Sequence, residues 1–460
     1  MVRDPGKYMD SLALSYNHLP LHLRQCFVFV GVFPEDYDIP VTKLIWLWIA
    51  QGFIHETESG TLEDVAEDFL MDLIKRSLLI PGKRRVNGHI KTCRIHDLLR
   101  DLCLKKADEE NFSQKVCKHD HATAFLDETI DSIMLLSPEP PALSLLSDFC
   151  YPSEFGKFLR NGQSFDIERY ESLRILDVES ISVSMFPAEV TQLLNLRYLA
   201  IQARDGSPSA SISSLVNLQM LIIASRKNIV VPKTIWGMVN LRHPCIKTGE
   251  NHIEDPCFVH ETKNDSLQTL SQVSPQSCHN IFSRTPNLRK LGICGPLVSS
   301  QGELEFPNIR ALQHLQKLKL LNTIPYGKPT RLLNTMMFPE TLKNLTLSNT
   351  CMGWEDMWAL SLLPNLEVLK LKFHACIGKR GRQTMQWVCW RENFPGLKRL
   401  VVRQCLYLES IPSELGKINT LEAIEVWWCR YSTQVSALKI QEEQESEGNF
   451  FLKVHATNNY

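Results

Sequence analysis

The chain has 460 residues, 22% of them charged and 44% hydrophobic, and its formal net charge is −1. A balance this close to zero excludes a global field for nucleic acid or membrane surfaces, so any such contact has to come from a local patch. The longest apolar run, Cys26 to Phe33, falls far short of the ~18 residues of a membrane span, the N-terminus lacks the apolar core of a secretion signal, and the 14 cysteines include no C-x-x-C pair, which suits buried, reduced thiols.

Residues 1–110 carry helical patterning. Asp10 or Ser11 can cap a short helix through Tyr16, and Pro20 breaks it. Leu21 to Phe33 then reads as a buried helix, apolar almost all round. Pro34 to Tyr37 is a turn, Pro40 suits the start of the next helix, and Gly52 ends that helix. Thr61 with Asp64 forms a capping box ahead of Leu62, Val65, Ala66, Phe69, Leu70 and Leu73, which recur at helical spacing. Two short β-prone runs, Ser77 to Ile80 and Ile90 to Ile95, flank Asn87-Gly88, a strong hairpin signal. Asp97 to Lys106 returns to helix. Helices, a hairpin and a further helix describe a winged-helix unit.

Residues 111–165 read as a junction that includes a cap for the next domain, with Pro138 to Pro141 interrupting regular structure. From 166 to 435 the pattern is L-x-x-L-x-L, clearest at Leu196-Leu199-Ile201, Leu315-Leu318-Leu320, Leu342-Leu345-Leu347 and Leu366-Leu369-Leu371, and degenerate at Leu241 and Leu267. Successive units start 21 to 31 residues apart. That period marks leucine-rich repeats, each giving one strand of a curved parallel sheet. No unit can bury its leucines alone, so the stack shares one core. The fold class is therefore α/β, a helical winged-helix module followed by a leucine-rich-repeat solenoid. Residues 436–460 form a tail, and the acidic run Gln441 to Glu447 is expected to be loose.

The order of motifs in the first hundred residues resembles a known family. Leu14 to Pro20 (LSYNHLP), Cys26-Phe27, Gly31 to Asp36 (GVFPED), Leu44 to Ala50 (LIWLWIA), Gly52-Phe53 and Ile95-His96-Asp97 occur in sequence. Together they are similar to the last nucleotide-domain module of plant intracellular nucleotide-binding, leucine-rich-repeat resistance proteins. The repeats and the ending Val426-Trp-Trp-Cys429 look most like the coiled-coil class of late blight resistance type. The resemblance implies a plant innate immune receptor that recognises a pathogen effector or a guarded host protein. It implies an ADP/ATP switch, with defence activation and hypersensitive cell death as output. It also implies a cytoplasmic protein, or one peripheral at the plasma membrane, and not an enzyme. The chain contains no G-x-x-x-x-G-K-[ST]: Gly378-Lys379 and Gly416-Lys417 lack the preceding glycine. It is thus expected to be the C-terminal portion of such a receptor, with ADP or ATP held by the full-length family and no cofactor by this chain alone.

Site expectations come from both the resemblance and the repeat pattern. The resemblance gives His96 as a contact to the ADP β-phosphate and Asp97 as the residue that steadies its loop. The repeat pattern gives a second candidate. Residues between the strand leucines face away from the core. In early repeats these are Ile175, Asp177, Glu179, Tyr198, Met220 and Ile222, a mixed and partly apolar set. Later ones are Lys290, Lys317, Lys319, Lys370, Lys372, Arg399 and Arg403, ending at Glu425 and Trp427. The basic column and Trp427 are expected to bind an acidic partner surface, which the resemblance extends to the receptor's own nucleotide-binding domain. Lys83-Arg84-Arg85 in the hairpin could meet phosphates. A solvated turn explains them better, so no nucleic-acid partner is expected. The alternative function is a leucine-rich-repeat substrate adaptor of a ubiquitin ligase, which the ordered N-terminal motifs disfavour. No H-E-x-x-H, G-x-S-x-G or zinc-spaced cysteine cluster points to catalysis.

Overall fold

The computed structural model describes residues 16–55, 60–85, 88–109, 144–146, 170–204, 207–225, 229–247, 251–253, 263–306, 308–324, 338–377 and 394–457, with Leu14 and Thr330. The chain divides into two compact units, residues 1–226 and 227–460. The expected cap at Asp10 or Ser11 and most of the junction lie outside the described residues.

The first unit opens with α1 (Leu21–Val30), β1 (Ile39–Pro40), α2 (Val41–Gln51) and α3 (Leu62–Lys75). β2 (Ile80–Pro81), β3 (Thr92–Arg94) and α4 (Asp97–Glu109) come next. Helix α2 begins directly after Pro40 and stops at Gly52, whose φ of 84° is left-handed. Helix α3 has the full capping box, with the Thr61 side chain accepting from the Asp64 backbone N–H and the Asp64 carboxylate accepting from that of Thr61. The hairpin is present as an antiparallel pairing of β2 with β3, extended by an Arg84–Ile90 bridge, and β1 joins β3 on the other side. Phe27, Phe29, Phe33, Leu44, Leu47 and Trp48 form a dry core. Gly31 is required where α1 meets α4, because a Cβ there would lie 2.5 Å from the Cβ of Cys103.

The hairpin is pinned by one carboxylate. Asp38 takes Arg94 Nε at 2.6 Å and Lys83 Nζ at 3.0 Å. The hydrogen bonds from Arg94 and then Lys83 hold its carboxyl well below the usual carboxylate range. The neighbouring cations are also engaged within the module: Arg84 donates to the Gly88 carbonyl and Arg85 to the Thr42 hydroxyl. The basic triplet therefore ties the wing to the rest of the module.

Repeat strands of the first unit run parallel as β4 (Ser144–Leu146), β5 (Ile175–Val183), β6 (Tyr198–Ala203) and β7 (Met220–Ala224). In the second unit, β8 (His243–Lys247) follows the degenerate unit at Leu241. Then come β9 (Thr269–Val273), β10 (Lys290–Gly295), β11 (Lys317–Asn322) and β12 (Asn344–Ser348). The series continues through β13 (Val368–Lys372), β14 (Arg399–Arg403), β15 (Ala423–Trp427) and β16 (Lys453–Thr457). Strands β9 to β16 lie in chain order in one sheet, and every pair is parallel. Their register aligns Leu291, Leu318, Leu345, Leu369, Leu400 and Ile424, all buried. Just past β12, β13, β14 and β15, Asn349, Phe373, Gln404 and Trp428 adopt φ between 51° and 55°. The αL turn lets Phe373 and Gln404 donate backbone N–H groups to the Arg403 and Trp427 carbonyls of the next strand. Buried Cys405 and Cys429 direct their thiols at the Phe373 and Trp427 carbonyls, satisfying turn acceptors.

The C-terminal stretch differs from expectation. Residues Tyr431–Ser446 form a helix, so the acidic run is ordered rather than loose. Thr433, Ala437 and Ile440 are buried on one side of it, and β16 beyond it extends the parallel ladder. Burial of that stripe outweighs the polarity of the intervening positions.

The register yields a direct test. Leu345→Ala is expected to cost about 2–5 kcal/mol, whereas Thr346→Ala, pointing to the opposite sheet face, should change stability by less than ~0.5 kcal/mol. Denaturant melts giving similar losses for both would contradict the strand register.

Candidate functional site

His96 and Asp97 join β3 to α4, and both side chains are more than half exposed. The His96 Nδ1 and the Asp97 carboxylate are paired, and Asp97 Oδ1 also accepts the Leu98 backbone N–H at 2.6 Å. Asp97 therefore fixes the imidazole and serves one of the free N–H groups at the helix start. With Nδ1 so engaged, a contact to a further group would use Nε2. The pair can supply one oriented contact to a phosphate oxygen. The sequence contains no G-x-x-x-x-G-K-[ST] that would cradle a whole nucleotide's phosphates.

The early repeat positions behave otherwise than their pattern suggests. The sheet face opposite the leucines carries Ile175, Tyr198 and Met220 in one register row, and Asp177, Ala200 and Ile222 in the next. None is more than 4% exposed. Helix α2 packs against β5 and β6. Lys43 Nζ of α2 lies 2.7 Å from Asp177 Oδ2, and the Tyr198 hydroxyl donates to the same oxygen at 3.3 Å. The Glu179 backbone N–H donates to Asp177 Oδ1. At the C-terminal end of α2, Arg174 donates to the Gln51 carbonyl at 2.9 Å, a cation at the negative end of the helix dipole. Arg197 stands beside Gly52, and burial, then its neighbour Arg174, lowers its pKa. All the expected early positions except Glu179, which stays partly exposed, thus belong to an internal docking face rather than a recognition surface. A buried carboxylate is tolerable because every side of it is answered.

No sequence signal marks this contact. Lys43 reads as an exposed residue on an apolar helix, and Asp177 as one more polar residue between strand leucines. They are far apart in the chain, and only folding brings them together.

In the second unit the expected basic residues stay at the surface or half-buried. Lys290 and Lys317 pair in one row with Arg399 further along it. Lys319 and Lys370 share the middle row, interrupted by Thr346 and followed by Val401 and Glu425. Lys372, Arg403 and Trp427 are direct neighbours in the third. The structure brings Lys370, Lys372, Arg399, Arg403 and Trp427 onto three adjacent strands, while Lys290 lies three strands from Lys370. Glu425 answers Arg399 at 3.2 Å and takes the Trp427 indole N–H at 3.3 Å. Burial and then the neighbouring cations lower the pKa of Lys370 and Lys372. Clustered, partly desolvated cations favour an anionic partner that relieves their mutual repulsion.

Residues 32–103 match the family described as disease resistance protein winged helix domain, and residues 158–379 match a leucine-rich repeat region. A putative late blight resistance protein homolog, R1B-16 of Solanum demissum, is 33% identical over 479 aligned residues, which cover 95% of this chain and 36% of that protein. Late blight resistance protein R1-A of the same species is 32% identical over 493, covering 95% and 37%. The chain spans a little over a third of the length of these curated relatives. Among solved structures, the plant peptide hormone receptor RGFR1 in complex with RGF2 aligns with a TM-score of 0.39 at 17% identity, over 70% of this chain and 52% of that one. A leucine-rich-repeat protein of Leptospira interrogans aligns at 0.38 and 16%, over 68% and 76%.

The buried ion pair is testable by itself. Lys43→Met should strand the Asp177 carboxylate and destabilise the protein by about 3–5 kcal/mol. Adding Asp177→Asn, which removes the charge and keeps a side chain of the same shape, is expected to recover more than half of that loss. Additive losses in a denaturant double-mutant cycle would show that the two residues are not coupled.

Proposed function

Because the chain belongs to the leucine-rich-repeat disease-resistance proteins of late blight type, we propose that it works within a plant innate immune receptor whose repeats recognise a pathogen effector or a guarded host protein. The observation that carries this reading is the match, in order, of a resistance-type winged-helix domain and a repeat region, with late blight relatives aligned over 95% of the chain. Its output is the defence response and hypersensitive cell death. Its working place is the cytoplasm or the inner surface of the plasma membrane. Among the described residues no helix is long and apolar enough to cross a membrane.

The chemistry is binding and relay rather than catalysis. The later repeats offer a basic face to an acidic partner, either the recognised protein or the receptor's own nucleotide-binding domain. The first repeats hold α2 through the Asp177–Lys43 pair, and this is the contact by which a change in these repeats would reach the winged-helix module. His96, oriented by Asp97, would hold a β-phosphate oxygen of ADP in the resting receptor, and that phosphate would supply the charge the imidazole reads. The exposure and pairing of these side chains fit one such contact. The ubiquitin-ligase adaptor reading gains no support from a chain whose N-terminal module is of resistance type.

A charge-assisted hydrogen bond of ~1.5–3 kcal/mol made only in the closed state changes the closed-to-open ratio about ten- to a hundredfold. In a receptor carrying these residues together with a nucleotide-binding domain, His96→Ala or Asp97→Val is therefore expected to cause cell death in leaves without any effector. Well-accumulated variants that stay silent would count against the switch role. Calorimetric titration of ADP into the 460-residue polypeptide is expected to show no micromolar binding, since the chain encodes no phosphate-binding loop.

A further inference from the structure

The basic face of the second unit ends against aromatic rings. The Arg403 guanidinium sits 4.1 Å from the centroid of the Trp428 ring, and the Trp427 ring lies 6.5 Å from that of Trp428. Arg403 Nε is shielded from solvent yet has no hydrogen-bond partner. Such a donor is costly to leave unanswered. Among the described residues no carboxylate stands within ion-pair distance of Lys319, Lys370, Lys372 or Arg403, and Glu425 is already engaged by Arg399.

Spacing gives the shape of a ligand that would fit. Adjacent strands lie ~4.8 Å apart. From Lys319 on β11 to the lysines of β13 is two strand steps, or ~10 Å. Arg403 on β14 is one step more, and Trp427 on β15 one more again, ~19 Å in all. An extended polypeptide advances ~3.3 Å per residue, so about six residues span the row. Acidic groups about three residues apart would reach Lys319 and then Lys370 or Lys372. Another, one or two residues on, would reach Arg403, and the chain would finish over the tryptophans. A single-stranded nucleic acid is a poorer match. It wants rings interleaved with cations along its whole track, whereas here the tryptophans gather at one end.

We infer that β11 to β15 form a two-part site for an extended acidic segment of about six residues that ends in an aromatic side chain, the cations setting attraction and the Arg403–Trp428 pair with Trp427 selecting the ring. This rests on the reading of the basic face as the recognition surface. It adds the chemistry and length of the segment recognised.

The test uses the 460-residue chain and three probes of comparable negative charge, each labelled for fluorescence anisotropy. They are the peptide Glu-Gly-Gly-Glu-Glu-Gly-Trp, the same peptide ending in Ala, and a short oligothymidylate. The tryptophan peptide should bind about tenfold more tightly than the alanine peptide, and both should weaken with salt. Lys370→Glu with Lys372→Glu should abolish both, and Trp428→Ala should remove the discrimination between them. Equal, salt-sensitive binding of the two peptides by the unaltered chain would overturn the aromatic end and leave the basic face standing. Binding of neither peptide would overturn the basic face itself. Tighter binding of the oligothymidylate would overturn the polypeptide assignment. All three comparisons are made on the unaltered protein, so a variant that misfolds does not shield the inference.

Discussion

A β-strand sends successive side chains to opposite faces of its sheet, and in a parallel stack every strand must send the same positions the same way. That constraint governs both units. Leu345 and Leu347 are buried because Leu318, Leu320, Leu369 and Leu371 stand in register on either side of them. The same alternation obliges Lys319, Thr346 and Lys370 to stand together on the other face. Core and candidate recognition surface are therefore two consequences of one register. A slip of one residue would bury lysines and expose leucines together.

The face opposite the leucines is put to different uses in the two units. In the first it carries Tyr198, Met220 and Ile222 around Asp177, and it is buried with α2 packed on β5 and β6. In the second it carries cations, and among the described residues no carboxylate stands within ion-pair distance of Lys319, Lys370, Lys372 or Arg403. The contrast comes from side-chain chemistry. An apolar row with a single, fully paired carboxylate gains from permanent burial. A row of lysines and arginines loses hydration on burial and is best covered transiently, by a partner that brings its own negative charge.

The winged-helix module joins these elements through a few polar contacts set in a hydrophobic body. Asp38 fastens the hairpin, Arg100 ties α4 to the Phe33 carbonyl, and Asp177 fastens α2 to the first repeats. Each is a long-range contact between groups that the chain itself keeps far apart. His96 and Asp97 stay outside this network and remain exposed.

The sequence by itself determined the elements and their periods. Pro40 and Gly52 bound α2, the Thr61–Asp64 box starts α3, Asn87-Gly88 marks the hairpin, and the leucine spacing fixes which strand positions form the core. These are local or strictly repeating signals, so each can be read in a short window. The tertiary structure decided what could not be read that way. It placed Lys43 on Asp177 across more than a hundred residues, turned the early sheet-face positions from an expected surface into an interior, and ordered the acidic C-terminal stretch as helix by burying one stripe of it. It also set Arg403 over Trp428 at the edge of the basic face. The physical reason is the same in each case. Whether a polar or apolar side chain is exposed depends on which distant segment packs against it, and that partner is named only when the chain has closed on itself.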